Sequence, residues 1–585
     1  MLLSLATSAV LVLLALTIAA CPCTAAPVAP ASSPELQAVM EREVPRLLRE
    51  GEVPGISIAV IRDKKIAWSG AFGVADPASG APVRPDTVFQ AASLTKPVVA
   101  YVTLRLADRG VIDLDRPLWS TLPNPRLEAD PRARQITARH VLSHSTGLPN
   151  WGDDKLETRF PPGERFGYSG EGFVWLQKAL EKLTGAPLAD LARREVFAPL
   201  GMTRSSLVWE EGFSGTAGVA PSGAIEPQPQ RREANAAASL VTTAEDYGRF
   251  LVAILEGTGL KPETRTAMLE PALQVSSRYS DPASPPHESL AWGLGWGLQG
   301  PGGREAFWHW GDNGAWRAYA FVRTDGSAGL IYFANSHEGL SIARALASIA
   351  VGAPQNGLDW LGYESHDDPR HVARKDIEKA LRISPEAGAR RWRELRAAQP
   401  AVVDEELTLD TAENLIDWRR GTEAAAILEA AVAEQPRSAK LQDRLGTAYL
   451  TAGDLEKARL CFERALKLDP KTPSRQAEIR WIDEGLKARK TPVSLSEEEL
   501  RRFTGDYGPR HVTLENGRLV YRRDGQPQSR VLVPVSRDTF ALEGVGDIQI
   551  RFAAEPGGRA TKLEIVGPGG VEGESVRDGG DGRQP

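Results

Sequence analysis

Ser93 and Lys96 are the residues whose types and spacing first suggest chemistry, and they lie in the segment FQAASLTKP at 89–97. Residues three apart on a helix share one face, so a helix here would bring the lysine amine within reach of the serine hydroxyl. A serine hydroxyl is a poor nucleophile until a base removes its proton, and a desolvated neutral lysine can act as that base. The alternative for so common a pair is an N-capping serine beside an exposed lysine.

The helix that would carry this pair is predicted at about 93–108, and Gly110 would end it. Pro97 is tolerated only in the first helical turn, so the helix must begin near Ala92 or Ser93. The hydroxyl would then sit at a helix N-terminus, where the positive end of the dipole favours negative charge. Apolar residues at every fourth position give this helix one buried face: Val98, Val102 and Leu106.

Two further segments carry residues suited to a reactive site. Tyr168 lies in FGYSG at 166–170, between a Pro-Pro-Gly turn and a segment with helical periodicity. A tyrosine at such a junction can project its hydroxyl into a cleft, and a lysine ammonium beside it would lower its pKa and make it a shared base. The alternative is a half-buried core tyrosine. In FWHWGDNG at 307–314, Gly311 would let a strand backbone approach a ligand closely.

These three segments, in this order and spacing, resemble the serine β-lactamase and penicillin-binding-protein superfamily. Within it they are most similar to class C β-lactamases, family VIII esterases and D-aminopeptidase-like hydrolases. The resemblance covers about residues 35–350 and includes lesser signatures at 136–151, 199–206 and 236–251. It implies an α/β (α+β) fold of the β-lactamase/transpeptidase type, in which an antiparallel sheet is flanked by helices.

The resemblance also implies roles by position. Ser93 would form an acyl-enzyme, and Lys96 and Tyr168 would share the general-base and general-acid work. The backbone N–H groups of Ser93 and Asp312 would form an oxyanion hole that stabilises the charge of the tetrahedral intermediate. Neither a cofactor nor a metal is expected, because the eight histidines are scattered and form no H-E-x-x-H pattern.

Two positions depart from the family's pattern at the expected substrate site. Gly170 replaces the usual asparagine of Tyr-x-Asn, which hydrogen-bonds the amide side chain of a β-lactam or peptide. His309, with Gly311, stands where the family has Lys-Thr-Gly or His-x-Gly, so a fixed positive charge is missing at neutral pH. His309 would orient Tyr168 or contact a substrate carboxylate, and its alternative is a packing histidine. Both departures favour an esterase or peptidase over an efficient β-lactamase.

His144, in LSHSTGL, is interpreted as a structural residue near the cleft wall, because the resemblance gives this segment a structural place. The chain has no G-x-S-x-G elbow, so a triad with a histidine base is unsupported.

The rest of the chain predicts a modular organisation after a first unit at 34–352. In that unit a hairpin at 55–76 and strands at 318–323 and 329–335 would close one sheet from both chain ends. A linker is expected at 353–373. It would be followed at 374–489 by tetratricopeptide-like helical repeats with a period of 34 residues, which Pro436 and Pro470 mark.

Residues 495–567 are predicted to form a small all-β barrel, because apolar residues alternate there around the hairpin signal Asn516-Gly517. The Gly-, Glu- and Asp-rich tail at 568–585 is expected to be disordered. Helical repeats usually bind peptides or proteins on a concave face. The alternative is that they form a spacer docked on the first unit.

The N-terminal residues 1–26 are almost wholly apolar and predict a secretory signal, which would place the protein in the bacterial periplasm or cell envelope. The sequence at 18–21 resembles a lipoprotein box, in which Cys21 would carry a lipid anchor. The alternative is cleavage near Ala26, which would discard Cys21. The formal net charge of −6 over 585 residues suggests no nucleic-acid partner.

The expected activity is therefore acyl transfer from small esters or amides, including peptides with D-residues. A D-Ala-D-Ala carboxypeptidase or weak β-lactamase is the alternative within enzymes. The alternative from another class is a catalytically silent envelope scaffold that binds proteins through its repeats. A scaffold need not retain Ser93, Lys96 and Tyr168 together, so the sequence favours the enzyme.

Overall fold

The computed structural model describes residues 33–152, 155–276, 287–470, 475–491, 493–523, 529–554 and 558–577. These residues form three units in chain order: a helix–sheet unit, a helical segment and an all-β unit. The predicted signal at 1–26, with Cys21, lies outside the described residues. None of the helices in the described ranges has the length and hydropathy needed to cross a bilayer.

The first unit is built on an antiparallel sheet of nine strands, counted over the described residues, in the order β3-β2-β1-β13-β12-β11-β10-β9-β8. The strands are β1 (Gly55–Arg62), β2 (Lys65–Asp76), β3 (Ala81–Pro82), β4 (Phe89–Gln90), β5 (Gly218–Val219), β6 (Ile225–Glu226), β7 (Val241–Thr242), β8 (Leu273–Gln274), β9 (Leu290–Trp292), β10 (Gly297–Gln299), β11 (Ala306–Asp312), β12 (Arg317–Arg323) and β13 (Ala328–Ala334). The helices are α1 (Ser33–Glu50), α2 (Thr95–Asp108), α3 (Leu118–Thr121), α4 (Ala138–Leu142), α5 (Gly170–Thr184), α6 (Leu188–Ala192), α7 (Ala244–Glu256), α8 (Pro262–Leu269), α9 (Ala343–Ala350) and α10 (Asn356–Leu361).

The two chain ends of this unit close the sheet as predicted, because β1 pairs with both β2 and β13. Side chains of β1 alternate between two cores. Ile56 and Ile58 pack in the core that includes α1 and α9, whereas Ala59 and Ile61 pack in the core that includes α2 and α7. Helices therefore cover both faces of the sheet, which explains why β1 reads as an almost continuous apolar run.

The helical segment comprises α11 (Pro369–Ile383), α12 (Pro385–Ala398), α13 (Glu405–Asp417), α14 (Gly421–Glu434), α15 (Ala439–Thr451), α16 (Leu455–Leu468) and α17 (Gln476–Lys490). The 34-residue repeat is plain in these bounds, because α15 and α16 begin and end 34 residues after α13 and α14. Small residues at the contacts let the paired helices pack closely, as with the buried Ala424 and Ala458.

The predicted linker at 353–373 is wrong, because this stretch contains α10 and the start of α11. Short capping signals mark where the helices of this region begin. The side chain of Asp368 caps α11 just before Pro369, and the side chain of Ser384 caps α12 just before Pro385.

The third unit follows a short helix, α18 (Glu497–Arg501), and its described part is an eight-stranded antiparallel meander. Its strands are β14 (Gly505–Tyr507), β15 (Arg510–Glu515), β16 (Arg518–Arg523), β17 (Arg530–Pro534), β18 (Thr539–Leu542), β19 (Gln549–Ala554), β20 (Ala560–Gly567) and β21 (Gly570–Val576). The predicted hairpin turn is confirmed, since Asn516 and Gly517 both have positive φ. The Arg577 guanidinium donates to carbonyl oxygens beside both β14 and β20, so the barrel is nearly closed.

The tail predicted as disordered begins too early, because β21 lies inside it and pairs with β20. The glycine-rich composition of 567–570 belongs to the tight turn between these strands, where Gly570 has a φ of 117°. The side chains of β21 are largely exposed, so the strand lacks the apolar alternation that would have revealed it.

The helical segment docks on the first unit through a buried ion pair. Lys375 of α11 lies 2.9 Å from Glu338 and 3.3 Å from Glu52. Burial alone would raise the pKa of Glu338, but the hydrogen bond from His337 and the charge of Lys375 lower it well below its usual range. At its other end the helical segment contacts the barrel, where Trp481 Nε1 donates to the carbonyl oxygen of Gly546 at 2.7 Å.

Replacing Lys375 tests how strongly this contact holds the two units together. Lys375→Met keeps the volume but leaves the Glu338 carboxylate buried without its main cation, so we expect the free energy of unfolding to fall by about 3 kcal/mol. Lys379→Met, one turn along, is the matched control. The half-exposed Lys379 pairs with Glu52, so losing this contact should cost less than about 1 kcal/mol. Urea denaturation followed by circular dichroism measures both, and equal losses would contradict the assignment.

Candidate active site

The turn that carries Ser93 lies at the start of the helix, within two residues of the predicted position. A 3₁₀ turn at Ala92–Leu94 runs directly into α2, and Pro97 is the third residue of that helix. Ala92 has a φ of 49°, a left-handed conformation that costs a residue with a Cβ some free energy. This strained residue presents the partly exposed Ser93 at the start of the helix.

Segment 236–251 holds this turn in place, although its sequence signature gave no hint of how. The N–H of Ala91 donates to the carbonyl oxygen of Leu240 at 2.8 Å, and the Leu240 N–H donates to Thr95 Oγ1 at 2.9 Å. The Tyr247 hydroxyl donates to the carbonyl oxygen of Leu94 at 3.0 Å. Main-chain and side-chain hydrogen bonds thus fix both ends of the turn around Ser93.

Lys96 is in the position that the sequence predicted. Its Nζ donates to Ser93 Oγ at 3.0 Å and to the carbonyl oxygen of Ala237 at 2.9 Å. The side chain is only 1% exposed, and this burial lowers the pKa of Lys96 to about 7. A large fraction of the amine is therefore neutral near neutral pH and can accept the proton of the Ser93 hydroxyl.

Tyr168 joins this pair. Its ring centroid lies 4.8 Å from Lys96 Nζ, and its side chain is mostly buried. The next residue, Ser169, caps α5 by accepting a hydrogen bond from the Gly172 N–H at 3.1 Å. The predicted loop–helix junction is therefore present, and the structure brings Ser93, Lys96 and Tyr168 into one cluster.

The end of β11 lies against the nucleophile turn because residue 311 is glycine. A Cβ at Gly311 would lie 2.4 Å from the carbonyl oxygen of Ala91, far inside contact distance. Asp312 follows Gly311 at the end of this strand, and an oxyanion hole made by the N–H groups of Ser93 and Asp312 stays a prediction. The Asp312 carboxylate accepts a hydrogen bond from the Tyr363 hydroxyl at 2.7 Å and pairs with Arg317.

His309 lies beneath the cluster. It is 0% exposed, so its burial argues against the predicted contact with a substrate carboxylate. Burial and the neighbouring charge of Lys96 lower the pKa of His309 to about 3, so the imidazole is neutral. Its Nδ1 lies 2.7 Å from the carbonyl oxygen of Trp310, and its ring centroid lies 6.3 Å from that of Tyr168. The arrangement fits its other two predicted roles, orienting Tyr168 or packing.

The glycine at position 170 has a local steric cause. A Cβ there would lie 2.9 Å from the carbonyl oxygen of Asn150 and 2.9 Å from the Trp151 ring. The Gly170 N–H also donates to the Asn150 side chain at 3.0 Å. The loop at 150–151 therefore occupies the space next to Gly170 that a larger side chain would need. Trp151 itself is 52% exposed at the edge of this region.

Residues beyond the expected hydrolase boundary also build the site, and sequence reasoning missed them. Trp360 of α10 packs its ring against Phe166 and Trp310, with centroids 5.7 and 6.1 Å apart. Tyr363, just after α10, reaches Asp312. The aromatic residues in DWLGY at 359–363 were the available signal, but they stood in a segment interpreted as a linker.

Comparison with known proteins agrees with this geometry. The Beta-lactamase family model matches residues 40–352, more than half of the chain, and a tetratricopeptide-repeat model matches 439–472. The esterase EstB of Burkholderia gladioli is 30% identical over 289 residues, covering 39% of this chain and 72% of that protein. Penicillin-binding protein 4 of Amycolatopsis lactamdurans is 28% identical over 316 residues, covering 49% and 81%.

Among solved structures, the octameric penicillin-binding protein homologue from Pyrococcus abyssi matches 92% of this chain and 100% of its own, with 16% identity and a TM-score of 0.47. The helix-covered antiparallel sheet and the Ser–Lys–Tyr cluster define a fold of the β-lactamase-like serine hydrolase class. The chain belongs to the beta-lactamase family.

Restoring the family's asparagine tests the steric account of position 170. Gly170→Asn forces its Cβ against the Asn150 carbonyl and the Trp151 ring, so we expect a loss of about 1–3 kcal/mol in the free energy of unfolding. Gly172→Ala is the matched control on the same helix. Its Cβ would meet only ordinary contacts near 3.4 Å and should raise stability by up to about 1 kcal/mol. Thermal unfolding measures both, and a stable Gly170→Asn variant would refute the account.

Proposed function

We propose that this protein is a serine hydrolase that forms an acyl-enzyme on Ser93 and acts on esters or on small amides and peptides. The observation that carries the proposal is the contact of 3.0 Å between Lys96 Nζ and Ser93 Oγ. The lysine is buried, and its pKa of about 7 suits a general base at neutral pH.

In the proposed reaction, the neutral Lys96 amine accepts the hydroxyl proton while Ser93 Oγ attacks the substrate carbonyl carbon. The N–H groups of Ser93 and Asp312 stabilise the resulting oxyanion. The proton then passes, through Lys96 or Tyr168, to the leaving oxygen or nitrogen, and the bond to the leaving group breaks. Water attacks the acyl-enzyme in the second half, with the same two side chains taking its proton and returning one to Ser93 Oγ.

The surroundings of this cluster favour esters and small amides over β-lactams. The neutral, buried His309 supplies no positive charge for a β-lactam carboxylate. Position 170 has no side-chain amide to hold the substrate's own amide. EstB, one of the relatives, is named an esterase, and that name agrees with this preference.

Removing the nucleophile is the first test. In Ser93→Ala we expect labelling by a fluorophosphonate probe to disappear and turnover of p-nitrophenyl acetate and butyrate to fall by ~10³-fold or more. Ser120→Ala, an exposed serine on α3, is the control and should keep both signals. The proposal would be rejected, and the scaffold alternative favoured, if folded wild-type protein is not labelled by the probe and does not hydrolyse either ester. Rapid nitrocefin turnover would instead favour the β-lactamase.

The second test is pH dependence. Because burial lowers the pKa of Lys96 to about 7, the amine is protonated below that pH and cannot accept the Ser93 proton. We therefore expect kcat/KM for p-nitrophenyl butyrate to rise as pH increases through about 7 and then to level off, after subtraction of spontaneous hydrolysis.

The matched variant is Lys96→Arg, whose guanidinium stays protonated throughout this range. It should lose roughly 10²- to 10⁴-fold in kcat/KM and show no rise near neutrality. A wild-type profile that is flat between about pH 5 and about pH 9 would count against Lys96 as the base.

A further inference from the structure

His144 occupies an unusual place beside the Ser–Lys–Tyr cluster. It follows α4, is almost fully buried, and makes three separate contacts with the three-residue stretch centred on Tyr168. The proposed reaction above does not use it.

The first two contacts hold the backbone on both sides of Tyr168. The N–H of Gly167 donates to the carbonyl oxygen of His144 at 2.7 Å. The N–H of Ser169 donates to Nδ1 of the His144 ring at 3.0 Å. One residue thus fixes the peptide groups immediately before and after the tyrosine.

The third contact holds the tyrosine side chain. The rings of His144 and Tyr168 are stacked, with centroids 4.2 Å apart and planes 25° from parallel. The His144 ring is itself packed against Phe173 and Trp292, with centroids 5.3 and 5.2 Å away. A closely packed neighbour on its face restricts the ring of Tyr168, which lies 4.8 Å from Lys96 Nζ.

His144 is not itself placed to act as a base. Its Nδ1 accepts a hydrogen bond, so the ring proton is on Nε2, and within the described ranges that atom has no hydrogen-bond partner. Burial, together with the charge of Lys96 and the neighbouring His309, lowers the pKa of His144 well below its ordinary value. The ring is therefore a neutral, fixed support.

The backbone at this position is strained in a way that favours such a role. His144 has a φ of 52°, in the left-handed region that residues other than glycine adopt uncommonly, although histidine, asparagine and aspartate do so more often than the rest. Strained backbone persists only where the surrounding structure holds it, and it is common at functional sites. The left-handed conformation directs the carbonyl oxygen and the ring of one residue toward the same short stretch of chain.

We propose that His144 is a positioning residue that sets the placement of the Tyr168 hydroxyl relative to Ser93 and Lys96. It does so by binding the peptide groups on either side of Tyr168 and stacking on its ring. This inference rests on the proposed function, because it assigns a role within that reaction. Misplacing a proton-transfer group by about 1 Å can cost about 10²-fold in rate.

The test is a double-mutant cycle between His144 and Tyr168. His144→Leu removes both the ring and the Nδ1 acceptor, and we expect kcat for p-nitrophenyl butyrate to fall roughly 10- to 100-fold with KM changed less than about 3-fold. In a Tyr168→Phe background, the same substitution should change kcat by less than about 2-fold, because the hydroxyl that it positions is already absent. A merely structural role would instead lower kcat equally in both backgrounds.

His144→Asn is the conservative variant. Asparagine tolerates the left-handed conformation, and its side-chain oxygen can accept the Ser169 N–H, so it should recover part of the lost kcat. If His144→Leu does not fold, His144→Asn carries the same comparison in both backgrounds. His140→Gln is the control for a local loss of stability, since the His140 Nδ1 accepts from the N-cap N–H of Thr137, at the opposite end of α4 from His144. It should leave kcat unchanged.

The outcomes separate this inference from the proposed function. Wild-type protein that lacks Ser93-dependent labelling and turnover would overturn both. Active wild-type protein with a fully active His144→Leu variant would overturn the positioning role alone. So would equal losses with and without the Tyr168 hydroxyl.

Discussion

A lysine amine that is buried without an ion-pair partner among the described residues is the constraint on which the first unit depends. Lys96 Nζ contacts a hydroxyl and a backbone carbonyl, neither of which carries a charge, and aromatic rings lie beside it. Keeping the amine out of water costs free energy, and the fold meets this cost with the packing of α2 between the sheet and its neighbouring helices. The same desolvation lowers the pKa of the amine to about 7, where it can act as a base at neutral pH. The stability of the unit and the chemistry of the site therefore depend on the same packing.

The second constraint on the site is that backbone segments lie unusually close together. The strand β11 reaches the nucleophile turn because Gly311 has no Cβ. The loop at 150–151 reaches α5 because Gly170 likewise has no Cβ. Ala92 and His144 adopt left-handed conformations within the same region. Each such strain costs of order 1–3 kcal/mol, and it persists because surrounding hydrogen bonds determine the geometry.

Much of the fold and of the site could be predicted from the sequence, because the local signals for each element agreed with the order of the motifs along the chain. The spacing of Ser93 and Lys96, with Pro97 fixing the helix start, was enough to place the amine on the hydroxyl. Contacts such as that between Lys96 and the Ala237 carbonyl could not be predicted, since they join segments far apart in the chain. Tyr363 and Trp360 were missed for a different reason: a short helix in a polar, turn-rich stretch has little periodicity to reveal it.

The placement of α10 bears on how this chain could have been assembled during evolution. The Beta-lactamase family match ends at residue 352, yet the wall of the site continues to Tyr363. Six residues later α11 begins, and its Lys375 is locked to Glu338 of the first unit. A recombination event that joined a new C-terminal module at the family boundary would therefore remove the contacts that Trp360 and Tyr363 make with Trp310 and Asp312. The structural unit that holds Asp312 therefore extends beyond the end of the family match, to at least Tyr363.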